Sequence, residues 1–185
     1  MDTKTWIILN WNIRGSNDSH KWDALRNKIS DSACNVVCIQ ESKREEVDIQ
    51  FIRKFAPKRF DGFAFQPSVG ASGGIITIWD SGVFAGTTIS ANHFQLTTEF
   101  RSKENNRCWT LSNIYGPCRE PDRSNFLNWL SQLHIPDDSN WLFIGDFNLY
   151  RFPENRNKPG ADNSLMDRFN DVINNQALIE LPIQG

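Results

Sequence analysis

The segment WLFIGDFNLYRFPEN, residues 141–155, decides how the rest of the chain is read. It starts as an apolar run fit for a buried strand and then breaks at Asp146-Phe147-Asn148. In extended chain, residues two apart project to the same side. Asp146 and Asn148 are therefore expected to leave the mouth of a core strand together, with Phe147 turned into the core. Two polar side chains on one face of such an exit need partners.

Working outward, residues 6–12 are short, apolar and bounded by Gly15-Ser16-Asn17, which predicts a buried strand. Residues 20–33 place Trp22, Leu25, Ile29 and Ala33 at helical spacing behind Ser19 as N-cap. Residues 35–40 (NVVCIQ) predict a second buried strand. Strand–helix–strand order predicts a right-handed parallel crossover, with Asn12 and Glu41 at the same ends of neighbouring strands. A short amphipathic helix is expected over 45–56. Strands are expected over 60–66 and 74–80, joined by a Gly/Ser loop. An antiparallel meander is expected over 84–91, 93–100 and 107–115, with RSKENN as one hairpin connection. Phe126, Trp129, Leu130 and Leu133 mark a helix over 122–134. After a polar loop over 151–162, Leu165, Phe169, Val172 and Ile173 mark another over 163–176. The second strand–helix–strand unit repeats the first and brings the loop after Tyr115 beside Asp146. Four strand-end motifs result: WNIRG, QES, NIYGP and GDFN.

A chain of 185 residues holds one sizeable core or two small ones, and nothing in it marks a domain linker or an internal repeat. The net charge of −2 excludes a globally basic nucleic-acid binder. Basic residues nevertheless gather locally at Arg119, Arg123, Arg151, Arg156 and Lys158. The four Cys form no CxxC pair and no zinc spacing, and Cys38 reads as a small core residue, which points to a reducing compartment, nuclear or cytoplasmic. The first residues are no secretory signal and no segment has the length of a membrane helix, so no secretion and no membrane partner are expected. The Asn17-Asp18-Ser19 sequon is then a chance match.

Asn12, Glu41, Asp146 and Asn148 would offer oxygen ligands and amide donors, and Asn10 shares a strand face with Asn12. Such oxygen-rich sets suit hard cations, Mg²⁺ above all. A cation there stabilises charge on phosphorus, an Asp orients water, and amide N–H groups meet the developing charge. Each residue also has a plain structural role open to it. Asn12 can cap a turn, Glu41 can be the first solvated residue after a strand, and Tyr115 can wall the Gly116-Pro117 turn. Other templates fail: there is no P-loop, GASGG precedes a strand rather than a helix, and no GxSxG elbow occurs. His20 and His134 read as helix-end residues and His93 as a hairpin residue.

WNIRG, VVCIQESK, SGGIITIWD, LSNIYGP, FIGDFN and LIELPIQG together resemble the endonuclease/exonuclease/phosphatase superfamily, with its DNase-I-like fold. The SGGI-x-T-x-WD strand and the GDFN-x-x-R-x-x-E loop are most similar to its branch in plant LINE-type (non-LTR) retrotransposons. The resemblance spans nearly the whole chain. It implies an α/β fold, a four-layer sandwich of two packed mixed β-sheets flanked by helices, with the site at the sheet edges and residues 1–185 as one domain. It assigns Glu41 as main metal ligand, with Asn12 organising metal and phosphate and Asp146 also at the metal. Tyr115 would hydrogen-bond the phosphate, Asp146 would orient the attacking water, and Asn148 would stabilise the transition state. Arg119, Arg123, Arg151, Arg156 and Lys158 would contact nucleic acid. The implied cofactor is Mg²⁺, with Mn²⁺ as an alternative. The implied partner is duplex DNA, nicked to a 3′-hydroxyl that primes a reverse transcriptase fused to the domain in the full element.

One departure stands out. In the family the chain runs on past the LPIQG-like segment into a Thr-Trp strand, a Leu-Asp-Arg motif and a Ser-Asp-His, and none of these is present. The resemblance therefore implies a second sheet lacking its C-terminal strands and little or no nuclease activity for this chain as a separate polypeptide. Two alternatives stay open: an abasic-site endonuclease or phosphatase of the same fold, and a non-catalytic remnant that only binds nucleic acid.

Overall fold

The computed structural model describes residues 5–15, 19–70, 72–155 and 163–183. Arg156, Lys158, most of the sequon and the last two residues lie outside the described residues. The chain forms two compact units. The first runs to Tyr115 and adds Asp138–Asp146; the second joins Gly116–Asp137 to the chain from Phe147 onward.

Among the described residues, the first unit holds eight strands in two four-stranded sheets. One sheet contains β1 (Ile8–Asn12), β2 (Val36–Gln40), β3 (Phe60–Val69) and β4 (Ser72–Asp80), in the order β1-β2-β4-β3. The other contains β5 (Phe84–Asn92), β6 (Gln95–Ser102), β7 (Cys108–Tyr115) and β8 (Trp141–Asp146), in the order β5-β6-β7-β8. Each mixes one parallel pair, β1 with β2 and β7 with β8, with antiparallel neighbours. Both parallel pairs are the ones that strand–helix–strand order predicts. The helix of the first crossover is α1 (Ser19–Ser32). It begins at Ser19 itself, so Ser19 lies inside the helix rather than capping it.

β2 shows why its sequence reads as continuously apolar. Val37 and Ile39 face a cluster with Trp22, Leu25 and Ile29 of α1 and with Phe51, Ile52 and Phe55. Val36 and Cys38 point the opposite way, into a cluster with Trp79, Phe84, Phe100 and Leu111 drawn from both sheets. A strand covered on both faces has no polar alternation. Burying each such aliphatic side chain contributes about 1.5–3 kcal/mol. The aromatic excess fills the inter-sheet layer: Phe100 stacks on Trp109 at 4.8 Å and meets Trp79 edge-on at 5.3 Å.

The helix predicted over 45–56 contracts to one turn, α2 (Ile49–Ile52). Residues before it hydrogen-bond to the β3–β4 hairpin instead of coiling: Ser42 and Lys43 N–H donate to the carbonyls of Gly74 and Gly73, and Ser68 N–H donates to Arg44. Asp48 then caps the turn, its carboxylate accepting from Phe51 N–H at 2.7 Å. The same hairpin extends pairing to Val69↔Ser72, so β3 and β4 are longer than expected. The predicted meander is present as β5, β6 and β7.

The second unit contains α3 (Asp122–Ser131), a 3-10 turn at Pro153–Asn155 and α4 (Asn163–Asn175). Phe147 meets Phe126 at 6.3 Å and Phe169 at 5.8 Å, so it is turned into apolar surroundings as its sequence context predicts. Gln176 Nε2 donates to the carbonyls of Leu130, Ser131 and Leu133, which satisfies acceptors left over at the end of α3. Among the described residues, no helix is long and apolar enough to cross a membrane.

Candidate active site

Parallel pairing sets the level at which the strand ends meet. Asn12 is in register with Gln40 on β2, and Tyr115 with Asp146 on β8. Two hydrogen bonds then join the sheets. Asn12 Nδ2 donates to Asp146 Oδ2 at 2.6 Å, and the Tyr115 hydroxyl donates to Glu41 Oε1 at 3.1 Å. Each pair takes one residue from each sheet. Asn12, Glu41, Tyr115 and Asp146, far apart in sequence, thus form one half-buried polar cluster in the first unit.

The backbone at this cluster is bent in an uncommon way. Glu41 has φ +58°, Arg14 +51° and Lys43 +53°, all in the left-handed region. For a residue with a β-carbon that conformation costs about 1–2 kcal/mol. Glu41 keeps it because its carbonyl accepts from Gly15 N–H at 2.7 Å while the next two N–H groups bind the β3–β4 hairpin. The result turns the carboxylate out of the β2 line. Asn12 Oδ1 accepts from Arg14 N–H at 2.9 Å, so both ends of that amide are engaged, one of them on Asp146.

Asn148 belongs to the second unit. β8 ends at Asp146 and Asn148 has φ +50°, so the two-residue alternation that puts Asp146 and Asn148 on one face stops at the strand end. Its Nδ2 donates to Gly116 O at 2.7 Å, and its carbonyl accepts from Arg123 at 3.0 Å. Of the expected nucleic-acid contacts, Arg123 is engaged in this way. Arg151 binds Asn170 Oδ1 at 3.0 Å and Glu180 Oε2 at 3.2 Å. Both guanidinium groups therefore build the second unit, whereas Arg119 is exposed.

The chemistry of the first-unit cluster is all oxygen: two carboxylates, an amide and a phenol. Among the described residues no group of three or more His, Cys, Asp or Glu side chains gathers at metal-binding range. A Mg²⁺ ion, which binds through one or two carboxylates and keeps several waters, fits Glu41 and Asp146; a zinc centre of His and Cys does not.

No family model matches the chain, and no curated protein matches its sequence. Solved structures do match. AP endonuclease LMAP from Leishmania major aligns over 91% of this chain and 66% of its own length, with TM-score 0.65 and 16% identity. The endonuclease domain of TRAS1, a telomere-specific non-LTR retrotransposon, aligns over 92% and 71%, with TM-score 0.65 and 12% identity. An AP endonuclease from Archaeoglobus fulgidus aligns over 92% and 70%, with TM-score 0.66 and 13% identity. The chain has the DNase-I-like fold. It spans 66% of the length of the Leishmania enzyme.

Within the DNase-I-like sandwich a second polar layer lies beneath the cluster, and the sequence reading passed over most of it. Gln40 Nε2 donates to Asn10 Oδ1 at 2.7 Å and to Asn113 Oδ1 at 2.6 Å. Asn113 Nδ2 donates to Ile76 O at 3.0 Å and Thr77 Oγ1 at 3.1 Å. The available signal was a polar residue closing each apolar strand run: Gln40 in VVCIQ, and Asn113 two places before Tyr115.

Proposed function

We propose that the chain carries the metal and phosphate end of a Mg²⁺-dependent phosphodiesterase that nicks duplex DNA, as the endonuclease domain of a LINE-type retrotransposon of the plant kind. The observation that carries this reading is the pair of cross-sheet hydrogen bonds, Asn12 to Asp146 and Tyr115 to Glu41, at the ends of four strands. Glu41, with Asp146, would hold Mg²⁺, which when bound lowers the cost of added negative charge on a phosphoryl oxygen. Asp146, oriented by the Asn12 amide, would direct the attacking water and accept its proton. Asn12 serves better as an orienting group than as a ligand, because its carbonyl oxygen already accepts from Arg14. Tyr115 would turn its hydroxyl from Glu41 to a phosphate oxygen. Asn148 would donate an amide N–H to the transition state. Water would add to phosphorus as its proton passes to Asp146, the bond to the 3′ oxygen would break with that oxygen taking a proton from solvent, and a 3′-hydroxyl and a 5′-phosphate would be left.

The test combines Mn²⁺ binding, followed by water-proton relaxation, with supercoiled-plasmid nicking in Mg²⁺. Wild type is expected to bind Mn²⁺ at a site lost in Glu41→Gln, with nicking weak in the chain as a separate polypeptide. A wild-type protein that binds no Mn²⁺ refutes the reading. A second reading, abasic-site cleavage, draws support from the AP endonucleases among the structural neighbours. Preference for an abasic over an intact duplex in the same assay would transfer the assignment to it. DNA binding that survives Asp146→Ala and never leads to cleavage would favour a binding remnant, with Arg119 as its first contact to probe and salt dependence as its signature.

A further inference from the structure

Every member of the amide layer adjoins a member of the site. Gln40 immediately precedes Glu41. Asn113 lies two residues before Tyr115 and Asn10 two before Asn12, on the same strand faces. Gln40 and Asn113 are fully buried, at 0% exposure each. Their bond at 2.6 Å joins β2 to β7, from one sheet to the other, and Asn113 returns to β4 through Ile76 O and Thr77 Oγ1.

Simple core satisfaction does not explain this layer. Gln40 Oε1 has no hydrogen-bond partner, although it is buried. An apolar side chain of similar volume would avoid that loss. What an amide bridge supplies is direction. Two sheets held by aliphatic and aromatic contact tolerate small offsets, whereas a short bond between two amides fixes one offset. A second buried polar chain offers a contrast. Thr97, Ser112, Gln95 and Trp141 hydrogen-bond to one another through side chains along β6, β7 and β8 within one sheet, and do not bridge the two.

We propose that Gln40 and Asn113 are positioning residues: their bridge sets the offset between the sheets at which Tyr115 meets Glu41 and Asn12 meets Asp146. The catalytic consequence rests on the phosphodiesterase reading; the geometric claim does not.

The chain has two tyrosines, Tyr115 and Tyr150. In a Tyr150→Phe background, ¹³Cζ-tyrosine labelling of the full chain therefore gives a single NMR signal from Tyr115. Glu41→Gln, which weakens the acceptor of the Tyr115 hydroxyl, calibrates the direction of its shift. Asn113→Leu is expected to move the signal in that same direction. It should also weaken Mn²⁺ binding about 10–100-fold, the size seen when partners behind a metal ligand are removed. Thr97→Val, which cuts the single-sheet chain, is expected to change neither. A folded Asn113→Leu protein with wild-type Tyr115 signal and wild-type Mn²⁺ affinity overturns the proposal. Where Asn113→Leu does not fold, Asn10→Ala at an exposed position removes one of the two acceptors of Gln40. It should give a smaller shift of the same sign, and no shift overturns the proposal equally. Absence of Mn²⁺ binding by wild type would sink the phosphodiesterase reading and leave the tyrosine shift to decide the positioning role.

Discussion

Gly145, next to last in β8, gives the sharpest test of how the strand end is built. Its φ is +145°, in a region that only glycine occupies without strain. A β-carbon added there would lie 2.0 Å from Ile114 O and 2.8 Å from Ile114 C and N. These are backbone atoms of the neighbouring strand and have no rotamer by which to escape. Gly145→Ala therefore combines two losses. Overpacking costs about 1–3 kcal/mol, and the backbone conformation about 1–3 kcal/mol more. For a chain of this size each kcal/mol lowers Tm by about 2–4 °C, so a fall of about 5–20 °C is expected by circular dichroism. Gly70→Ala separates the terms. Its φ is +59° and an added β-carbon meets nothing within 4 Å, so only left-handed strain remains. That strain is about 1–2 kcal/mol. A Gly145→Ala protein no less stable than Gly70→Ala would refute the close approach of β7 and β8 at Ile114. Because Gly145 precedes Asp146, the same variant should also lose Mn²⁺ affinity.

Thiol chemistry follows from burial: Cys108 and Cys118 are exposed and Cys34 and Cys38 buried, so an aromatic disulfide reagent should titrate two thiols in native protein and four in denaturant. Titration of all four in native protein would contradict the buried core. Burial pushes the thiols of Cys34 and Cys38 above their ordinary range near 9.0, so as pH rises each ionises in the unfolded chain before it does in the folded one. Stability from them is fully present below pH 9 and falls as pH rises beyond it, at up to about 1.4 kcal/mol per pH unit per thiol. Urea midpoints from pH 8 to 11 should show this decline, and Cys38→Ala should flatten it; an unchanged slope would remove Cys38 as a cause. Glu41 in the left-handed region predicts that Glu41→Asn relieves strain, since asparagine adopts that conformation more readily. In a Tyr115→Phe background, where no phenol bond is at stake, it should raise stability by about 1 kcal/mol while removing Mn²⁺ binding. A drop in Tm there would show that the carboxylate is placed for stability.

Sheet architecture was legible where period and order agree. Both strand–helix–strand units produced parallel pairs because a crossover over a helix leaves few other outcomes. The motifs WNIRG, QES, NIYGP and GDFN each closed a strand, and register then carried Asn12, Glu41, Tyr115 and Asp146 together. What was not legible shares one cause, which is contact between residues far apart in sequence that local pattern cannot show. Ser42 and Lys43 N–H and the Arg44 carbonyl, just before the predicted helix, are taken by Gly74, Gly73 and Ser68. Asn148 looks like a strand residue two places after Asp146, yet the strand has ended and the Gly116 carbonyl takes its amide. Arg123 and Arg151 read from sequence as nucleic-acid contacts, and local pattern does not show that Asn148, Asn170 and Glu180 bind them.

Stability alone does not account for what these strand ends carry. In most of the sandwich the ordinary rules hold: Val36, Val37, Ile39, Ile76 and Ile78 are apolar and 0% exposed. Several exceptions adjoin the Asn12–Asp146 and Tyr115–Glu41 pairs. There Gln40 buries an unmatched oxygen, Asn113 occupies a core position, and Glu41 holds a strained backbone. Each is a local loss that an apolar or glycine replacement would reduce. Such losses are tolerated where the surrounding fold over-determines the geometry, and these three lie beside the two cross-sheet pairs. A solvated cap at the end of β2 would need none of them, and Glu41 has all three within reach of its own residue or its neighbours.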